Sequence, residues 1–444
     1  MFWWYSTRRQ DFLRTGLLIG IIWLTLYTYQ LYYFYRTDVR QYQQKQYSYL
    51  NHKFYERILC FFINNKYCLR QPKTLSSIYD RNLSNILREQ PLLYQYAIAP
   101  HFINFKSLLK TFIPRINKQY LVYVCDRPCG GWGDRTRKIV GAYLLSLALN
   151  RTFIINITWP CPILDIFEPN IIKWNSKIYQ NNKSTNLTVL TLSATDNDYR
   201  EVLSWKSYDI IYFKTKDLGY YSMLLWRDDL YQRLQYYGFQ RSTLFIHSVF
   251  TLIYELLFKL KKHPKNHIDD IVHNYELNNE RTNLFCAHIR IGRNPSNPND
   301  NIFPKREKMN ITVINFLRKQ LNDQCNNKTL SSLCNYTKIF VTTDSEQVQT
   351  YVQKQFGKHL LNIEGLIRHI DRAAQKVACE SLEKTILDFQ MISYCNSMIM
   401  SKSAFSFWSN VRRLKPYEKT YIYCDGIKSI RRAGDYEKYP YGSC

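Results

Sequence analysis

Several common functional signatures are missing from this chain. No Cys-x-x-Cys among its 12 cysteines pairs with a second one, and no Cys/His ligand set exists, which excludes a zinc ribbon. There is no Gly-x-Gly-x-x-Gly dinucleotide fingerprint, and no P-loop Lys-Ser/Thr. Acidic residues are scarce, with 35 Asp and Glu against 61 Lys and Arg, for a formal net charge of +26. The basic residues are spread along the chain and not gathered in one arm, so nucleic acid is not an expected partner. A basic surface still attracts anionic lipid, acidic glycans and phosphorylated donors.

One stretch lacks charge altogether. Gly16 to Tyr35 is 20 residues without a charged side chain. At ~1.5 Å per residue a helix of this length spans ~30 Å, the thickness of a bilayer core. Trp3, Trp4 and Tyr5 precede it and Tyr32, Tyr33 and Tyr35 close it, as interfacial aromatics do, while Arg8, Arg9 and Arg14 flank its start. No small-residue cleavage site is evident. The expectation is a cytoplasmic tail over 1–15, a transmembrane signal anchor over 16–35, and a stem over 36–117. Sequons beginning at Asn82, Asn150, Asn156, Asn182, Asn186, Asn310, Asn327 and Asn335, with every cysteine beyond the anchor, agree with a secretory lumen. Spacing does not give disulfide connectivity. Cys60 with Cys68 and Cys325 with Cys334 are the local pairs to test first, and Cys286, inside an apolar run, is expected as a free core thiol.

What is present is a large apolar fraction, 45% of 444 residues, enough for two core domains. The first, over 118–279, opens with a strand at 120–124, the glycine loop Gly130-Gly131-Trp132-Gly133-Asp134-Arg135, a helix over 139–149 and a strand over 152–157. That is a βαβ unit, whose loop serves equally well as a structural turn or as a ligand loop. Later a strand is expected at 209–213 and a helix at 250–262 with Leu252, Leu256, Leu257 and Leu260 inward. Lys259 to Lys265 reads as a solvated helix end, and 269–281 as a polar connection. The second domain, over 280–444, alternates strands (284–291, 338–343, 359–363, 397–401) with helices (311–321, 345–356, 380–394, and from about Ser406). Such alternation implies an α/β fold with parallel sheets, and two units in tandem enclose a cleft.

The stretch Leu284 to Arg293 stands out, because His288 and Arg290 follow a buried strand and precede Gly292. Ligands of open α/β sheets sit outside the carboxyl ends of the strands, where an arginine can fork onto a phosphate. Together with the glycine loop Gly130–Arg135 and its continuation Ala148–Ile155, Phe340-Val341-Thr342-Thr343-Asp344, and Asp388 through Ser403-Ala404-Phe405, this stretch resembles the fucosyltransferase superfamily. That superfamily joins α1,6- and α1,2-fucosyltransferases with protein O-fucosyltransferases. The resemblance covers about 120–413. It implies two Rossmann-like domains facing a cleft (the GT-B arrangement), acceptor-side then nucleotide-sugar-binding. It also implies a single-pass type II Golgi or endoplasmic reticulum protein with no metal and no cofactor beyond the donor substrate, GDP-fucose. Its partners would be that nucleotide-sugar donor, a glycan or glycoprotein acceptor, and the membrane through the anchor.

By the same resemblance, Arg290 would hold the β-phosphate and assist its departure, and His288 would support the nucleotide pocket. Asp388 would accept from guanine, Ser403 and Phe405 would meet phosphate and base or sugar, and Gly131 and Gly133 would let the first domain approach the fucose. Two positions depart from the family pattern: Arg293 stands where Asp or Asn is usual, and Asp134 where Asn is usual. Arg293 could be a second cation for the diphosphate or an exposed residue. Asn294, Pro295, Ser296 and Asn297 are poor bases, leaving Asp134, preferred, and Asp300 as candidates for the general base. Two other functions compete. One is a metal-dependent glycosyltransferase with Asp196-Asn197-Asp198 holding a divalent cation. The other is an inactive, membrane-anchored member that binds glycans.

Overall fold

The computed structural model describes residues 119–439, except 176–186, 193–203, 215–226, 237–238, 240–245, 280, 307, 327–330 and 414–415. The anchor segment, the stem, the Cys60/Cys68 pair and the Asp196-Asn197-Asp198 triplet lie outside the described residues. Among the described residues, no helix is long and apolar enough to cross a membrane.

The chain begins with β1 (Tyr120–Cys125), α1 (Trp132–Ala148), β2 (Thr152–Ile157), β3 (Phe167–Pro169), β4 (Val189–Leu192) and β5 (Ile210–Phe213). Next come α2 (Asp228–Tyr236), α3 (Ile246–Leu257), β6 (Phe258–Leu260) and α4 (Lys262–Asn274). The second half holds β7 (Asn283–Ile289), α5 (Met309–Asn326), β8 (Thr337–Thr343), α6 (Glu346–Phe356), β9 (Leu360–Leu361), α7 (Gln375–Glu380) and α8 (Leu382–Met391). It closes with β10 (Ser397–Met400), α9 (Ala404–Val411), β11 (Thr420–Tyr423), β12 (Ile427–Ile430) and α10 (Ala433–Glu437). One sheet runs β2-β1-β5-β4 and is wholly parallel. The other runs β12-β11-β10-β7-β8-β9, parallel except for the β11–β12 pair. The mixed α/β class with parallel sheets is therefore the one the strand–helix alternation implies. β1 and β7 are central and buried throughout their apolar runs, as strands covered on both faces must be.

Several stretches differ from the sequence reading. The helix α1 starts at Trp132, not at Ile139. Its first two turns carry polar side chains that hide the apolar period, yet Arg135 and Lys138 are buried because backbone carbonyls consume them. Arg135 Nε donates to Gly130 O at 2.7 Å and Nη1 to Trp159 O at 2.6 Å, and Lys138 Nζ donates to Cys129 O at 3.0 Å. The helix expected to reach residue 262 ends at Leu257, because β6 pairs with β3 and places Leu260 opposite Phe167. Lys259 to Lys265 is thus a strand and a helix start. Part of the supposed connection is α4, which buries Ile268, Ile271 and Val272. Finally, Cys286 is not a free thiol. It lies on β7 and is bonded to Cys395, just before the neighbouring strand β10. Cys325 bonds Cys334 as expected, and Cys125–Cys129 and Cys161–Cys379 are further pairs. The Asn156 sequon sits inside β2, paired with Val124, and is not an open loop.

The two sheets share one apolar core. Trp132, 1% exposed, stacks on Phe167 at 5.7 Å, and Phe250 meets Trp408 at 4.6 Å. Polar ties reinforce the seam: Thr251 Oγ1 donates to Val411 O at 3.1 Å, and buried Arg412 pairs with Glu255 at 2.6 Å. At Gly133, α1 comes so close to α9 that a Cβ would lie 2.5 Å from the backbone of Ala404 and Phe405. Gly133→Ala should accordingly lower stability by about 1–3 kcal/mol through overpacking. A denaturant midpoint indistinguishable from the parent would contradict this.

Candidate functional site

A cavity of about 290 Å³ opens at the carboxyl ends of β1, β7, β8 and β10. β7 lies between β8 and β10, so the chain leaves β7 to one side and returns to the other. Ligands bind at such reversals of strand order. His288 and Ser401 face each other across this point, with Nδ1 and Oγ 2.7 Å apart. Burial, then the nearby Arg290 and Arg306, hold the His288 imidazole well below its usual range, so it is neutral at pH 7. Its ring lies 4.9 Å from that of Phe405.

Arg290 lines the cavity but is not a free cation. Its Nη1 meets Asp344, and its Nη2 meets Asp300 Oδ2 at 2.5 Å. Burial alone would lower its pKa; the two carboxylates outweigh that and raise it. Asp344 also accepts from the N–H groups of Ile291 and Gly292, both at 2.8 Å. Its backbone carbonyl accepts from Asn294 and Asn297. Gly292 has φ +92°, and a Cβ there would lie 2.4 Å from Asn301 O and the Phe303 ring. The chain can only turn so tightly with glycine. Arg293 is exposed, does not line the cavity, and donates from Nε to Asp300 O at 3.2 Å. Of its two expected roles, the structure gives it the peripheral one.

The remaining sequence candidates also come together here. Asp388 is buried and lines the cavity, yet both its oxygens are engaged. Lys384 Nζ donates to them at 2.9 and 3.0 Å, and Thr342 Oγ1 donates at 2.8 Å. Burial pushes its pKa up against the pull of Lys384. Ser403 caps α9, its Oγ accepting from Phe405 N at 3.2 Å. Gly131 and Gly133 line the cavity, but the close approach at Gly133 is to α9, and the left-handed backbone (φ +100°) belongs to Gly130. Asp134 stands in the first turn of α1 with its side chain 40% exposed and Arg137 3.7 Å away. Asp300 is 2% exposed. Burial pushes its pKa up, but Arg290 and His369 outweigh this and lower it. A carboxylate held as a buried ion-pair partner is a poor proton acceptor.

Several lining residues carried no recognised sequence signal. Arg306, 1% exposed, donates from Nη1 to Arg290 O at 3.2 Å and from Nη2 to Lys402 O at 2.8 Å. The segment 366–372 forms one wall. Within it, His369 Nδ1 accepts from Asp371 N at 3.2 Å, which leaves the proton on Nε2, and His369 N donates to Asn297 Oδ1 at 2.6 Å. Lys384 alone could have been found, since it lies one helical turn before Asp388.

No protein-family model matches the chain, and no curated protein matches it. Among solved structures it is similar to the alpha-1,6-fucosyltransferase NodZ soaked with GDP-fucose (15% identity, TM-score 0.43, 69% of this chain and 95% of that one). It is similar to NodZ from Bradyrhizobium at 14% identity, TM-score 0.44, over 71% and 99% of the two chains. A mutant of Arabidopsis thaliana FUT1 in complex with GDP follows at 13% identity, TM-score 0.46, over 79% and 80%. These structural neighbours are fucosyltransferases, and the likeness to them is a loose one of fold.

The buried imidazoles have a consequence for stability. Burial, then Arg290, lower the His369 pKa to about 4. Between about 4 and the unfolded value near 6.5, the unfolded chain binds a proton that the fold excludes, so stability is present above 6.5 and is lost as pH falls through this window. The unfolding temperature should drop from pH 6.5 to 4, and less so in His369→Gln. An identical slope in that variant would show that His369 does not contribute.

Proposed function

We propose that this cavity is the donor site of an inverting glycosyltransferase that moves fucose from GDP-fucose to a hydroxyl of a glycan or protein. The observation that carries the reading is the convergence of Arg290, Arg306 and Lys384 with the paired strand ends of β7, β8 and β10 on one cavity, opposite the first turn of α1. Cationic donors placed where a diphosphate leaves are the main lever for such a reaction. Fucose and guanine come from the motif resemblance at His288–Gly292, Phe340–Asp344 and Asp388–Phe405.

In this reading the acceptor hydroxyl attacks the anomeric carbon from the α1 side and gives its proton to Asp134. The bond from that carbon to the diphosphate oxygen breaks, its electron pair stays on that oxygen, and Arg290 stabilises the charge of the departing nucleoside diphosphate. Arg290 and Arg306 take the place that a divalent cation holds in other transferases, so a chelator should leave transfer intact. A chain of two Rossmann-like domains, divided near 279/280 and held in the secretory lumen behind the 16–35 anchor, belongs to the same proposal. The disulfides among the described residues support an oxidising compartment.

Arg290→Lys keeps the charge and loses the planar fork. Turnover of GDP-fucose should fall about 10²–10³-fold, with weaker GDP binding. Asp134→Asn should lose turnover at similar scale while GDP affinity stays near the parent's. Purified variants with matching thermal unfolding decide the matter: near-normal turnover in Arg290→Lys would remove the central residue from this reading. Loss of activity in a chelator, restored by manganese, would move the weight to Asp196 and Asp198.

A further inference from the structure

The two carboxylates that grip Arg290 do so unequally. Asp344 is fixed: besides Arg290 it accepts from two backbone N–H groups, those of Ile291 and Gly292. Asp300 is held far more loosely. Its Oδ1 accepts only from the next residue's N–H, Asn301 N at 2.7 Å. Its Oδ2 is buried and lies 2.5 Å from Arg290 Nη2, with no backbone N–H to hold it in place should the guanidinium turn elsewhere. Both Asp300 and Arg290 line the cavity. One guanidinium shared by two carboxylates has its own charge fully neutralised, which leaves little of it for a diphosphate. Both Nη atoms are also occupied, whereas a forked grip on phosphate needs two parallel N–H groups.

We propose that Asp300 is a displaceable counter-ion. It holds the Arg290 guanidinium in place until a diphosphate arrives, then yields the Nη2 edge to it, while Asp344 keeps its hold on Nη1. Resting on the reading of Arg290 as the diphosphate ligand, this makes Asp300 a positioning residue that tunes donor and product affinity. Without Asp300's charge the phosphate meets an arginine already oriented by Asp344 and no longer competed for.

The test is calorimetric titration of GDP and of inorganic pyrophosphate into the parent protein and Asp300→Asn. Asparagine keeps the shape and the acceptor for Asn301 N, and removes the charge. Should it fail to fold, Asp300→Ser retains a local acceptor and serves instead. Both ligands should bind the variant about tenfold more tightly, as expected for removing one charge a few ångströms from the ligand in a partly screened site. Adding Arg290→Lys to the same variant should abolish the gain. A merely structural role for Asp300 would leave affinity equal or weaker, and either result in a folded variant would overturn the proposal. If neither protein binds either probe, the diphosphate reading itself fails, and the exchange fails with it.

Discussion

A single side chain, Asp344, organises the region on which the rest of the cavity depends. It directly follows β8, caps the turn after β7 through two backbone N–H groups, and takes one edge of the Arg290 guanidinium. Its carbonyl gathers the amides of Asn294 and Asn297, and Asn297 in turn accepts from His369 N. The loop after β7, the end of β8 and the wall at 366–372 are thereby tied to one residue. Charged hydrogen bonds of this kind are among the stronger ones in proteins, and each here also satisfies a buried polar group. A functional arginine needs such a frame, because a long flexible side chain otherwise spends binding energy on being ordered.

The opposite wall is set by a steric constraint. α1 can lie against α9 because residue 133 has no side chain, and the helices carry Gly131, Asp134 and Ser403 to the same cavity. The seam continues through Phe250 and Trp408, the Arg412–Glu255 pair and the Cys161–Cys379 bridge. Arg135 adds a further link, 3.7 Å from Asp371 in the wall segment while its other donors hold Gly130 and Trp159. Glycine loop, helix seam and wall thus form one connected frame around the space where chemistry is proposed.

Charge is distributed differently inside and outside this frame. The chain carries +26 overall, yet two of the buried cavity cations are matched by carboxylates: Arg290 by Asp344 and Asp300, and Lys384 by Asp388. Buried ions must be paired to be tolerated, whereas surface lysines and arginines need no partner. The two carboxylates on Arg290 differ in their backbone support: Asp344 accepts from two N–H groups and Asp300 from one.

Residue order alone determined the local periods: alternating strands and helices, the buried run before His288, and the cap at Ser345 and Ser403, because these depend on neighbours along the chain. It also brought forward His288, Arg290, Asp388, Ser403 and Phe405, which the fold gathers on one cavity. It failed where burial is achieved by distant partners. The start of α1 was hidden because Arg135 and Lys138 look solvated until the carbonyls that absorb them are in place. Leu260 looked helical until β3 supplied a strand to pair with, and Cys286 looked free until β10 brought Cys395 beside it. Arg306, His369 and Lys402 join the cavity through contacts dozens of residues away. Whether Asp300 or Asp134 is free to take a proton was likewise a tertiary decision, since it depends on which of them lies against Arg290, and sequence spacing carries no distance between residues that far apart.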